Sequence, residues 1–181
     1  MDNFAFAVGL NNIASPLASS NIMVMPSATA NTYTLFFFAP SMGFSVSGTQ
    51  FVNYDINFTW DPVVVGSEDQ MFASTPVFPG TATVVTNLCV GSPCGSVTNT
   101  LTVFNDGKPA DAINTAITTF APVTVVGTQS VISLYAYGAS SEITGFTNSV
   151  FSPEPGAFVF AATGLLALWL RRFRGRRKPS F

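Results

Sequence analysis

The sequence predicts an all-β domain, an antiparallel β-sandwich with a jelly-roll-like arrangement as one option, followed by one C-terminal transmembrane helix. Three observations predict it. Phe51–Trp60 (FVNYDINFTW) alternates strictly between apolar and polar residues, which is the period of a half-buried strand. Apolar runs of strand length, separated by turn residues, fill most of the chain before Gly156 without a helical period; that spacing belongs to all-β folds. Gly156–Leu170 is then a fifteen-residue uncharged run followed directly by a basic cluster.

In chain order, residues 11–30 are polar and Ser/Ala/Asn-rich, broken by Pro16 and Pro26, with Ile22–Met25 as one short strand. Tyr33–Ala39 (YTLFFFA) is a compact apolar run closed by Pro40. Its aromatic content favours a strand, buried on both faces. In Phe51–Trp60 the residues Val52, Tyr54, Ile56, Phe58 and Trp60 share one face, and Asn53, Asp55, Asn57 and Thr59 the other. Pro62 ends that strand, and Gly66–Gln70 reads as a polar, acidic loop.

Ala82–Cys89 and Val97–Phe104 flank the turn-rich segment Cys89-Val-Gly-Ser-Pro-Cys94, which reads as a hairpin. Asn105-Asp106-Gly107 is a further turn signal, and Asp111–Ala116 reads as loop. Phe120–Val126, Gln129–Tyr137 and Ile143–Val150 complete the domain, with Gly127-Thr128 as a two-residue hairpin loop and Gly138–Ser141 as a turn. The expected total is seven to nine strands over residues 1–151, with the tail occupying residues 152–181.

Composition excludes several functions. The chain has 181 residues, 9% of them charged, and no histidine. Without histidine, Ser-His-Asp and Cys-His nucleophilic chemistry is impossible, and the commonest metal ligand is missing. Six of the seven basic residues are Arg171, Arg172, Arg174, Arg176, Arg177 and Lys178; the seventh is Lys108. All nine acids lie upstream. An acidic body with one lysine cannot neutralise phosphates, which excludes nucleic acid as a partner. No cofactor and no metal are expected.

The local candidates for a site are weak. Asp61, Glu68 and Asp69 lack the alternating Asp/Asn pattern and central Gly of a calcium loop, so they read as a solvated loop. Asp106 and Asp111 flank a turn, where Asp bonds nearby backbone. Tyr135 and Tyr137, with Val131, share one strand face, and Trp60 ends the clearest strand; such aromatics are either core or a carbohydrate platform, and core is the expectation. Thr98, Thr100 and Thr102 read as the solvent face of a sheet rather than a flat ice-binding array. Cys89 and Cys94 are the only cysteines; across a hairpin in an oxidising compartment they should pair.

The tail is more specific. Pro153-Glu154-Pro155, then the apolar run, then the arginine cluster at the C-terminus resembles the PEP-CTERM sorting signal. The resemblance covers about Ser152–Lys178 and nothing upstream. It implies recognition by a membrane-embedded protease of the exosortase type, with the tail an address that is processed after export, and it implies no catalytic activity for this chain. Fifteen helical residues span only about 22 Å against roughly 30 Å of hydrocarbon, so Arg171 and Arg172 must snorkel and the bilayer thin locally. The basic cluster stops at the cytoplasmic side, which leaves Pro153 and everything before it outside.

Met1–Leu10 lacks a basic n-region and carries Asp2, which does not fit an export signal; the expectation is that the true start lies upstream or that the signal was left out of this sequence. The expected role is a non-enzymatic structural or binding module of the cell surface or extracellular matrix, held at the inner membrane during sorting. The partners expected are an exosortase-type protease and the membrane, with extracellular polysaccharide as one option, and the alternative role is a secreted polysaccharide-active enzyme or carbohydrate-binding protein.

Overall fold

The computed structural model describes residues 2–40, 44–91, 94 and 96–153. Glu154, Pro155, the predicted helix Gly156–Leu170 and the basic cluster Arg171–Lys178 lie outside the described residues. Among the described residues no helix is long and apolar enough to cross a membrane.

The domain is an antiparallel β-sandwich. Its strands are β1 (Asp2–Asn11), β2 (Met23–Ala28), β3 (Thr32–Phe38), β4 (Phe44–Gly48), β5 (Phe51–Trp60), β6 (Val64–Ser74), β7 (Thr81–Val90), β8 (Asn99–Asn105), β9 (Thr115–Val123), β10 (Val126–Tyr135) and β11 (Ala139–Phe151). One sheet has the order β1-β5-β10-β7-β8. The other runs β2-β3-β11-β6-β9, with β4 paired to the first part of β11.

The core is built by alternation. On β5 the inward residues Val52, Tyr54, Ile56, Phe58 and Trp60 are all buried. In register beside them lie Leu134 and Ile132 of β10, and then Ala82 and Val84 of β7. The facing sheet supplies Leu35, Phe37, Met71, Phe146 and Val150. Phe37 is the centre of this layer: its ring centroid lies 4.7 Å from that of Phe146 on its own sheet and 5.7 Å from Phe58 across the sandwich. Stacked rings add to burial through their quadrupoles. The buried phenol of Tyr54 accepts a hydrogen bond from the Leu17 backbone N–H at 3.0 Å, which ties the connection between β1 and β2 to the core.

Several expectations are corrected. Gly66–Gln70 is not a loop but the middle of β6, paired on one side with β11 and on the other with β9. It escaped the pattern because its inward residues, Ser67 and Asp69, are polar, and both are fully buried. Gly127 and Thr128 are not a hairpin loop. They lie within β10, opposite Thr59 and Phe58 of β5; β9 and β10 belong to different sheets, so the chain crosses between sheets there rather than folding back. β10 ends at Tyr135, and Ser140 and Ser141 belong to β11 rather than to a turn.

The strand count is eleven among the described residues, above the seven to nine expected. The additions include β1 and the five-residue β4, whose Phe44 and Val46 point inward. Tyr33–Ala39 is not buried evenly on both faces: Leu35 and Phe37 are buried, whereas Phe36 and Phe38 are half-buried and stack at 6.0 Å. Pro26 does not break its segment, because β2 is an edge strand, where a missing N–H costs no ladder bond.

The expected hairpin of β7 and β8 is present, and Cys89 and Cys94 form a disulfide across its connection with Cα atoms 5.0 Å apart. A loop this small removes little chain entropy, about 2 kcal/mol by the loop-length relation. Replacing both cysteines by serine should therefore lower the unfolding free energy by about that amount in urea denaturation. A loss above about 4 kcal/mol would mean that the bridge also holds β7 and β8 in register.

Candidate functional site

Asp61, Glu68 and Asp69 are separated by the fold. Glu68 and Asp69 are consecutive on β6 and so point to opposite faces of the sheet. Asp61 follows β5 on the exposed side. Among the described residues no cluster of three acidic, cysteine or histidine side chains is assembled. Asp106 behaves as expected of a turn residue: its Oδ1 accepts the Lys108 backbone N–H at 3.0 Å. Thr100 and Thr102 are on the exposed face of β8. Thr98 is not part of an array; its hydroxyl donates to the Leu88 carbonyl at 2.9 Å and accepts from the Val90 N–H at 3.0 Å.

Asp69 instead belongs to a polar layer inside the sandwich. Trp60 Nε1 donates to Asn148 Oδ1 at 3.0 Å, and Asn148 Nδ2 donates to Asp69 Oδ1 at 2.7 Å. This links the two sheets, since Trp60 lies on β5 and the other two on β11 and β6. Thr86 and Ser130 bond each other at 2.9 Å on the first sheet. Asp69 is fully buried, and among the described residues its Oδ2 has no hydrogen-bond partner. Burial pushes its pKa up to about 6, with nearby Thr86 and Asn148 pulling back and Glu68 adding repulsion. This layer joins the two sheets.

The accessible aromatics are elsewhere. Trp60 is core, as expected, at 4% exposure. Tyr135 and Tyr137 are not. Tyr135 lies on the outer face of β10 directly opposite Phe51 of β5, and their rings stack at 5.8 Å. Tyr137 continues the stack at 5.6 Å from Tyr135 and is 60% exposed. One of its faces therefore rests on Tyr135 and the other meets solvent. Its backbone is at φ 48°, the left-handed region that is costly for a bulky side chain. Gly138, at φ 89°, donates its N–H to the Gly48 carbonyl at 2.6 Å, and Ala139 N–H bonds the Ala136 carbonyl at 2.9 Å. These two bonds hold the strained turn that presents the ring.

The ring row borders a polar sheet face. One cross-strand row away on the same outer face lie Asn53, Ser133 and Thr83; beyond Asp55 come Asn57, Gln129 and Asn87. Uncharged amides and hydroxyls beside aromatic rings form a surface that can stack a pyranose and hydrogen-bond its hydroxyls. Period-two spacing placed Tyr135 correctly on a face, but which face is outward depends on the partner sheet, and Tyr137 lies in a turn that the pattern extended as strand.

Two clefts open elsewhere on the domain. One, of about 710 Å³, is lined by Ser45, Ser47, Gln50, Ser140 and Glu142. Its lining contributes one carboxylate, Glu142, whereas glycoside hydrolysis takes two carboxyl groups facing one bond. The other, of about 520 Å³, is lined by Pro26, Tyr33, Trp60 and Pro62. Of the sorting tripeptide, Pro153 is described: it follows β11 where Ser152 N–H bonds the Asn31 carbonyl at 2.8 Å.

No family model matches this chain, and no curated protein is similar to it. Among solved structures, the chain is similar to the carbohydrate-binding module TmCBM61, solved in complex with β-1,4-galactotriose, at 10% identity and a TM-score of 0.37, over 79% of this chain and 86% of that one. It is also similar to a family 6 carbohydrate-binding module at 18% identity and a TM-score of 0.26, over 83% of this chain and 92% of that one. Likenesses this distant carry no ligand over to this chain.

Proposed function

We propose that the chain is an exported, non-enzymatic β-sandwich module that binds polysaccharide at the cell surface or in the extracellular matrix, delivered by its PEP-CTERM-like tail. The observation that carries the binding role is the outward-facing ring row Phe51–Tyr135–Tyr137, half-buried at Phe51 and Tyr135 and exposed at Tyr137, which is held in a left-handed turn at the edge of a face of amides and hydroxyls. Backbone strain at an exposed aromatic is tolerated where it serves a contact. The disulfide fits an oxidising compartment. A cleft with one carboxylate favours binding over hydrolysis.

Affinity electrophoresis of the detergent-solubilised chain in gels containing polysaccharide tests the binding role. Tyr137→Ala and Tyr135→Ala should each weaken retention about tenfold, roughly 1.4 kcal/mol, without altering the melting temperature by more than a few degrees. Retention unchanged in the double variant would place the site elsewhere. Delivery has its own test. Mass spectrometry of the surface-exposed form, in a host with an exosortase, should find no peptide containing Arg171–Lys178; recovery of peptides reaching Phe181 would make the tail a lasting anchor.

A further inference from the structure

We infer that this face selects neutral glycans and rejects acidic ones, an inference that rests on the polysaccharide-binding reading above. The rows beside the rings hold Asn53, Ser133, Thr83, Asn57, Gln129 and Asn87, which are donors and acceptors without charge. The one charged side chain among them is Asp55, at the centre of the face opposite Val131. A uronate or sulfate group is held by guanidinium, ammonium or converging N–H donors, and this face presents none of the first two.

The whole domain reinforces the choice. Residues 1–153 carry eight carboxylates and one ammonium, a formal charge of −7. That ammonium, Lys108, is already engaged: its Nζ lies 3.7 Å from Asp106 Oδ2 and 4.1 Å from the centre of the Phe78 ring. An anionic chain approaching the ring row meets Asp55 and a negative domain, and nothing among the described residues of the face offsets the repulsion. A neutral chain meets no such barrier. It can rest on the Tyr135 and Phe51 rings with its hydroxyls toward the adjoining Asn53–Ser133–Thr83 row.

The test uses the full chain in mild detergent, with Arg171, Arg172, Arg174, Arg176, Arg177 and Lys178 replaced by glutamine so that the basic cluster cannot hold sulfate, and a set of neutral polysaccharides (a β-glucan, a galactan, a mannan and a xylan), each paired with its own sulfated derivative. The backbone is then constant and charge alone differs. The expected result is binding to at least one neutral member, weakened by Tyr137→Ala, with the sulfated partner bound about tenfold less tightly at low salt. The gap should narrow as salt rises, because the repulsion is screened. Equal or tighter binding of the sulfated partner, particularly if lost in Lys108→Gln, would overturn the selectivity and leave the polysaccharide-binding reading standing. Binding to no member of the set, neutral or sulfated, would overturn both.

Discussion

Phe37→Ala is expected to be among the most damaging single substitutions in the domain, lowering the unfolding free energy by about 3–5 kcal/mol. Phe37 is fully buried and contacts the Phe146 and Phe58 rings, so its loss removes packing on both sheets. The cavity cannot close without shifting one sheet against the other. Phe36, one residue earlier, is half-buried on the outer face against Phe38. Its truncation should cost about 1 kcal/mol. Urea denaturation of both variants checks the contrast; similar losses at the two positions would mean that β3 does not have the register described.

Asp69 gives the second large effect, and it depends on pH. Its carboxyl has a pKa near 6 in the folded domain against an ordinary value of 3.8. The folded state thus holds its proton more tightly than the unfolded chain does. Between about pH 4 and pH 6 folding therefore takes up a proton, and stability falls as pH rises through that window. A shift of this size corresponds to about 3 kcal/mol between the acid and neutral limits. Asp69→Asn keeps the shape and the neutral form, so it should flatten this slope and be more stable than the parent at pH 7.5 relative to pH 4.5. Denaturation midpoints at those two pH values decide it. Parallel slopes in parent and variant would show that Asp69 is not the group responsible.

The same residue explains where the sequence was legible and where it was not. β5 is readable to the residue because each inward position is apolar and each position from Asn53 to Asn57 that faces outward is polar. β6 is opaque because it buries Ser67 and Asp69, and a buried carboxylate looks like a loop residue until Asn148, 79 residues away on the neighbouring strand, and Trp60, across the sandwich from it, are known. Gly127 fails for a related reason: glycine signals a turn locally, yet here it sits between two neighbouring strands.

The ring row was half legible. Tyr135 and Tyr137 were recognised as a possible platform on their spacing, but burial is the commoner fate of aromatics, and only the position of the second sheet shows that Tyr135 faces away from it. No local signal marks the left-handed turn at Tyr137 beyond the Gly138 that follows it. The reading of the tail rests on its three-part order, and the peptide mass spectrometry described above tests it.

The most direct test of the account is an amide NMR titration of the chain in mild detergent with a neutral oligosaccharide from a polysaccharide that it retains. The account predicts shifts concentrated at Phe51, Asn53, Ser133, Tyr135 and Tyr137, with Ser45 and Glu142 of the cleft beside β4 unmoved. Shifts concentrated in that cleft, with the ring row silent, would contradict it.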